Sequence, residues 1–62
     1  MNEDLNMSLR KFLKQVGVTS QKAIEEAVAA TENTEGKRFA LKMVLTCEEL
    51  DLNHEVNGTI QG

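Results

Sequence analysis

The sequence has no proline, a single cysteine and no long apolar run. The last two shortages exclude an internal disulfide and a membrane-spanning helix. Because Cys47 is alone, no disulfide can form within the chain, which fits a reducing compartment. No stretch approaches the ~20 apolar residues that a helix needs to cross a bilayer. The acidic start at Met1–Asp4 lacks the apolar core of a signal peptide. We therefore expect a cytoplasmic protein with no membrane partner.

The length and composition predict one small folded domain over residues 1–62. The chain is 40% apolar and 27% charged, so it differs from the weakly hydrophobic, highly charged mixtures that stay disordered. A domain of this size buries only about 60% of the surface that its unfolded chain exposes, which makes its stability marginal. The formal charge of -3 argues against nucleic acid as a partner, because phosphates are usually met by a net basic surface.

The first segment has the periodicity of an amphipathic helix. Asn2 can cap its start by accepting hydrogen bonds from the first-turn N–H groups. Gly17 is expected to end it in the left-handed conformation, which glycine adopts without steric cost. Thr19 or Ser20 would then cap a second helix. The apolar positions of the two helices recur three or four residues apart; they are Leu5, Leu9, Phe12, Leu13 and Val16 in the first and Ala23, Ile24, Ala27 and Val28 in the second.

After a loop at Thr31–Gly36 the period changes to two, which indicates strands. A turn centred on Glu49 and Leu50 sets the apolar residues of one strand opposite those of the next. If Asn57-Gly58 were the hairpin turn, too few residues would remain for a return strand, so we expect a bulge or bend there. The pairs that share the apolar face are Leu45 with His54, Met43 with Val56 and Phe39 with Ile60.

The predicted fold class is α+β, with two N-terminal helices packed on a C-terminal antiparallel β-hairpin (ααββ) in two layers. A two-stranded sheet has two edges with backbone groups that lack partners, and Ala40 and Val44 leave an apolar patch on the face expected to be solvated. So small a core contributes little stability, and no disulfide is available to add to it. We therefore expect self-association as a homodimer, through a hairpin edge or through that face.

The residues that carry a family resemblance lie mainly in the first third of the chain. The stretch from Met1 to Gln21, the link Gly17-Val18-Thr19-Ser20, and the segments around Lys42–Thr46 and His54–Val56 resemble an uncharacterised family of small bacterial proteins, a domain of unknown function. The resemblance implies a bacterial cytoplasmic protein. It supplies no activity, cofactor or site.

Two groups of residues could carry function. Arg10, Lys11 and Lys14 form a basic group on the first helix that could hold an acidic partner, although such residues are more often the solvated face of an amphipathic helix. Around the predicted hairpin turn, Cys47 and His54 accompany three acids, but no CxxC or HxxxH spacing is present. We expect no metal, no cofactor and no enzymatic activity. That second group is Cys47, Glu48, Glu49, Asp51 and His54.

Two function classes remain open at this point. The first is a small interaction or accessory protein that acts by binding another protein, whose identity the sequence does not give. The alternative is a DNA-binding regulator that uses a helix-turn-helix-like element around Gly17. In that alternative the reading helix begins at Ser20, but Glu25 and Glu26 on the same helix would approach the phosphates.

Overall fold

The computed structural model describes residues 2–62, which form a helical unit up to Glu32 and a hairpin unit from Asn33 to Gly62. The order of elements is helix α1 (Glu3–Ala29), strand β1 (Arg38–Cys47), a short 3₁₀ turn (Glu48–Leu50) and strand β2 (Leu52–Gln61). The α+β class is therefore confirmed. Each unit is described by itself, and the packing of helix on hairpin in two layers stays a prediction.

Helix α1 begins where the sequence indicates. Asn2 has extended backbone angles, and its side-chain oxygen Oδ1 accepts a hydrogen bond of 2.7 Å from the N–H of Leu5. Glu3 and Asp4 occupy the first turn, where the positive end of the helix dipole favours carboxylates. The predicted N-terminal cap is thus confirmed.

The prediction of two helices is wrong, because α1 continues through Gly17 for 27 residues without interruption. Gly17 has no positive φ; Gly36 is the one glycine of residues 2–62 that does. Thr19 does not cap a new helix either, since its hydroxyl donates a 2.7 Å hydrogen bond to the carbonyl of Gln15 one turn earlier. The helix-turn-helix-like element around Gly17 is therefore not formed.

Continuity of the helix joins the two apolar segments into one surface. With 3.6 residues per turn, Leu13 and Val16 lead through Ser20 directly to Ala23 and Ile24 on the same side. A break at Gly17 would have separated these segments, whereas glycine inside a helix costs only about 1 kcal/mol relative to alanine. We call this surface the helical stripe. It consists of Leu5, Leu9, Phe12, Leu13, Val16, Ser20, Ala23, Ile24, Ala27 and Val28.

The hairpin has the predicted register. Strands β1 and β2 are antiparallel, and Phe39 pairs with Ile60, Met43 with Val56 and Leu45 with His54. Asn57-Gly58 makes no bulge: the ladder runs from Arg38↔Gln61 to Cys47↔Leu52 without an extra residue on either strand. The expected bulge is therefore wrong. Glycine at this position needs no special backbone conformation and simply leaves Leu41 without a side chain opposite it.

Both ends of the hairpin are closed by local backbone geometry. At the turn, Asp51 takes a left-handed conformation (φ 50°), which aspartate tolerates better than most residues, and its N–H donates to the carbonyl of Glu48 at 3.1 Å. At the other end, the N–H of Gly36 donates to the carbonyl of Gly62 (3.2 Å), and the N–H of Gly62 donates to the carbonyl of Lys37 (2.8 Å). A Cβ at Gly62 would collide with the carbonyl of Thr34.

The position of Gly17 within α1 predicts that Gly17→Ala stabilises the protein. No atom lies within 4 Å of the site of the new Cβ, and alanine should gain about 0.5–1 kcal/mol in helix propensity and reduced unfolded-state entropy. The measurement is urea unfolding followed by circular dichroism at 222 nm.

Gly36→Ala is the matched control for this change. Gly36 also has open space around it, but its φ of 78° strains any residue with a Cβ. The unfolding free energy of the Gly36→Ala variant should therefore fall by about 0.5–1 kcal/mol. If Gly17→Ala were destabilising like Gly36→Ala, the continuous helix at Gly17 would be wrong.

Candidate interaction surface

The helical stripe leaves large apolar side chains half in water. Exposed fractions are 47% for Leu5, 41% for Leu9, 48% for Phe12 and 57% for Leu13. Covering the exposed half of such a side chain is worth about 1 kcal/mol. Four of them in the first half of one helix form an exposed apolar patch, and patches of that kind on soluble proteins mark binding surfaces more often than isolated apolar residues do.

The other side of the helix provides the contrast. Val18 is 62% exposed, but it lies two residues from Val16 and so points about 200° away around the helix axis. Met7, similarly exposed, lies two residues from both Leu5 and Leu9. These two side chains stand singly among polar neighbours, so they provide controls for any test of the stripe.

The basic group predicted from the sequence, Arg10, Lys11 and Lys14, lies on one continuous helix and is exposed. Within residues 2–62 the ion pair found is Lys42–Glu55, so none of the three bridges to a carboxylate. Lys11 lies two residues from Leu9 and Leu13, which places it on the side of the helix away from the stripe. A partner bound on the stripe would therefore contact Arg10 at the margin and leave Lys11 in solvent.

The hairpin has its own apolar face, made of alternate residues of both strands. Met43 and Val56 lie directly opposite each other on it and both remain exposed. Val44, on the opposite face, is also exposed, in agreement with the predicted patch there. Each strand has one long edge to which no other strand of residues 2–62 is bonded. The hairpin thus offers an apolar face and two edges as further surfaces for association.

Cys47 and His54 do not form a site with the nearby acids. Cys47 pairs with Leu52 and His54 with Leu45, so both belong to the apolar face of the hairpin. Across residues 2–62 there is no group of three or more histidine, cysteine or acidic residues placed to hold a metal ion. The one helix over this range is also not apolar enough to span a membrane.

The polar face of the hairpin carries one organised cluster. Lys42 Nζ lies 3.2 Å from Glu55 Oε1, and Asn57 Nδ2 donates a 2.9 Å hydrogen bond to Glu55 Oε2. These groups lower the pKa of Glu55 below its ordinary value of 4.5, with the Asn57 hydrogen bond as the larger cause and the Lys42 contact as the second. The cluster is open to solvent, so it orders the face without contributing much to stability.

Sequence reasoning missed the unity of the stripe, although the signal was present. The two apolar segments are in phase across Gly17: the step from Val16 to Ser20 is four residues and the step from Ser20 to Ala23 is three. A second helix entered by a turn has no reason to keep that phase. Agreement of phase across a suspected break therefore favours a continuous helix over two helices.

These features define a small α+β protein with an exposed apolar helix face and a two-stranded hairpin. The chain belongs to the family described as Family of unknown function (DUF6494), whose model matches residues 1–62. This confirms the resemblance to an uncharacterised domain. No curated protein and no solved structure matches the chain.

The Glu55 cluster predicts a pH dependence with a defined sign. Because the pKa of Glu55 is lowered in the folded state, its contribution is present above pH 4.5 and is lost as the pH falls through the folded-state pKa. The unfolding free energy of the parent minus that of Glu55→Gln should thus shrink as the pH falls below 4.5. Urea melts at several pH values measure this difference.

Two variants separate the causes. Carbon-13 NMR titration of Glu55 should show a larger upward shift of its pKa in Asn57→Ala than in Lys42→Met, because the amide hydrogen bond is the larger cause. A pKa of Glu55 at or above 4.5 in the parent protein would contradict the described cluster.

Proposed function

We propose that this chain is a small cytoplasmic bacterial protein that acts by binding another protein through the helical stripe. The observation that carries the proposal is the row of half-exposed residues Leu5, Leu9, Phe12 and Leu13 on one side of one helix. An amphipathic helix of this kind binds by laying its apolar side against an apolar surface, with anchors three, four and seven residues apart.

Charge and chemistry favour a protein partner over the other classes. The formal charge of -3 disfavours a phosphate backbone, and the DNA-binding alternative has lost the turn at Gly17 on which it depended. The basic group of Arg10, Lys11 and Lys14 would then act in steering or orienting an acidic partner rather than as the main source of affinity. The proposal includes no cofactor, no metal and no catalysis.

The stripe proposal predicts that Leu13→Gln weakens binding whereas Val18→Gln does not. Both changes remove an exposed aliphatic side chain from α1 and add a good helix former, but Val18 lies off the stripe. The tagged chain is used to capture partners from its native host, and each protein found by mass spectrometry is then purified and its Kd measured directly. We expect Leu13→Gln to raise that Kd about five-fold, the equivalent of the roughly 1 kcal/mol that covering the exposed half of this side chain contributes.

Two further results would count against the stripe. Equal binding by Leu13→Gln and Val18→Gln would exclude it as the contact surface. If Lys11→Gln alone abolished binding, the partner would contact the basic group instead of the stripe. Circular dichroism of each variant confirms that the helix is retained before binding is compared.

A further inference from the structure

We propose that Asn57 is a modification site, at which the native chain loses its side-chain amide without an enzyme and forms aspartate and isoaspartate. This inference goes beyond the proposed function, because it concerns strand β2 and is independent of what binds the helical stripe. It starts from the pair Asn57-Gly58, the one place in the sequence where glycine follows asparagine.

The reaction needs these two residues, hydroxide and water. The backbone nitrogen of Gly58 gives its proton to hydroxide and attacks the side-chain carbonyl carbon Cγ of Asn57. A C–N bond forms, and the amide nitrogen takes a proton from water and leaves as ammonia, which produces a succinimide ring. Water then opens the ring at either carbonyl and gives aspartate or isoaspartate, with no oxidant or reductant. A Cβ on residue 58 would hinder the attacking nitrogen, so glycine makes the first step fast.

The reacting groups lie at the surface of the hairpin. Asn57 and Gly58 are exposed, and no atom lies within 4 Å of the place that a Cβ of Gly58 would occupy. The Asn57 amide donates its 2.9 Å hydrogen bond to Glu55 Oε2 between two exposed groups, where water competes for both partners. No packed side chain therefore shields the site from water and hydroxide.

The closed ladder blocks the attack. In an antiparallel pair of strands, residues that face each other exchange hydrogen bonds at every second pair. The N–H of Gly62 donates to the carbonyl of Lys37, and counting by twos along the unbroken register makes Leu41 and Gly58 a bonded pair. The N–H of Gly58 thus donates to Leu41, and Asn57 is held extended in β2. The nitrogen is free to attack only when β2 separates from β1.

Opening of the hairpin therefore sets the rate in the native protein. The sheet has two strands, none of residues 2–62 is buried, and a two-stranded hairpin is marginally stable in water. We expect an open state that is populated at about 1–10%. Since only that fraction reacts, the native chain should lose the amide about ten- to a hundred-fold more slowly than the unfolded chain.

The two products alter the hairpin in different ways. Aspartate at position 57 places a carboxylate directly opposite Lys42 and two residues from Glu55, which also loses the amide that donates to it. Isoaspartate leads the main chain through the side-chain methylene and so lengthens β2 by one backbone atom. The residues that follow then fall out of register with β1, and the end of the hairpin at Gly62 no longer closes as before.

Mass spectrometry of the unsubstituted chain tests the proposal. The protein is incubated in mildly alkaline buffer, once folded and once in urea, and the replacement of –NH2 by –OH is followed at each asparagine. In both samples Asn57 should react before the four other asparagines. Isoaspartyl methyltransferase then labels isoaspartate, which should be present at position 57 of the folded sample.

Two glycine variants separate the chemistry from the opening. Gly58→Ala puts a Cβ beside the attacking nitrogen and has open space around it, so it should slow the loss in folded and unfolded chains alike. Gly36→Ala strains the closed end of the hairpin through its positive φ and leaves Asn57-Gly58 intact. It should speed the loss in the folded chain by about two- to five-fold and leave the rate in urea unchanged.

Other results would overturn the proposal. If the folded chain kept its Asn57 amide while the chain in urea lost it completely, the ladder would protect the residue and the native protein would have no such site. Equal rates in the two samples would mean that the Leu41 carbonyl does not hold Gly58. Earlier reaction at another asparagine, or an unchanged rate in Gly58→Ala, would exclude Asn57-Gly58 as the reacting pair.

Discussion

The constraint that governs this chain is apolar surface that local structure cannot bury. Helix α1 and the hairpin each form regular backbone hydrogen bonds within themselves, although the hairpin keeps two edges unpaired within the described residues, and each also carries an apolar side. None of residues 2–62 is buried, and side chains such as Phe12 and Val56 remain about half exposed. Isolated helices and hairpins are marginal in water, so the stability of both elements depends on what covers those sides. Stability and binding are therefore linked, and any partner of the stripe also stabilises the fold.

Much of the fold could be predicted because it is set by local chemistry. The cap at Asn2 follows from one side chain and one turn of backbone. The hairpin register follows from the period of two, since a slip by one residue would reverse both faces. Glycine was the source of both errors. At Gly17 it was interpreted as a helix stop and at Gly58 as a bulge, although in each case regular structure continues through it.

The physical reason for these errors is the same. Glycine permits a left-handed or irregular conformation but does not require one. At Gly17 the decision depends on the residues at each side, whose apolar positions stay in phase, and on the backbone hydrogen bonds that a break would lose. At Gly36 the positive φ is real, and there the surrounding sequence has no periodicity to continue. The candidate site follows the same rule: its apolar residues were identified from the sequence as the packing positions of two helices, and only the continuous helix joins them into one surface.

The closure at Gly36, Lys37 and Gly62 has a consequence for how the hairpin opens. In an ordinary hairpin the strand ends opposite the turn fray first, because their residues regain conformational freedom at the cost of few contacts. Here Gly62 accepts a backbone hydrogen bond from Gly36 and donates one to Lys37, so the strand ends can separate only after these two bonds break. The pairs next to this end, Arg38 with Gln61 and Phe39 with Ile60, should therefore fray less, and their amide hydrogens should exchange with solvent more slowly than those at an open hairpin end.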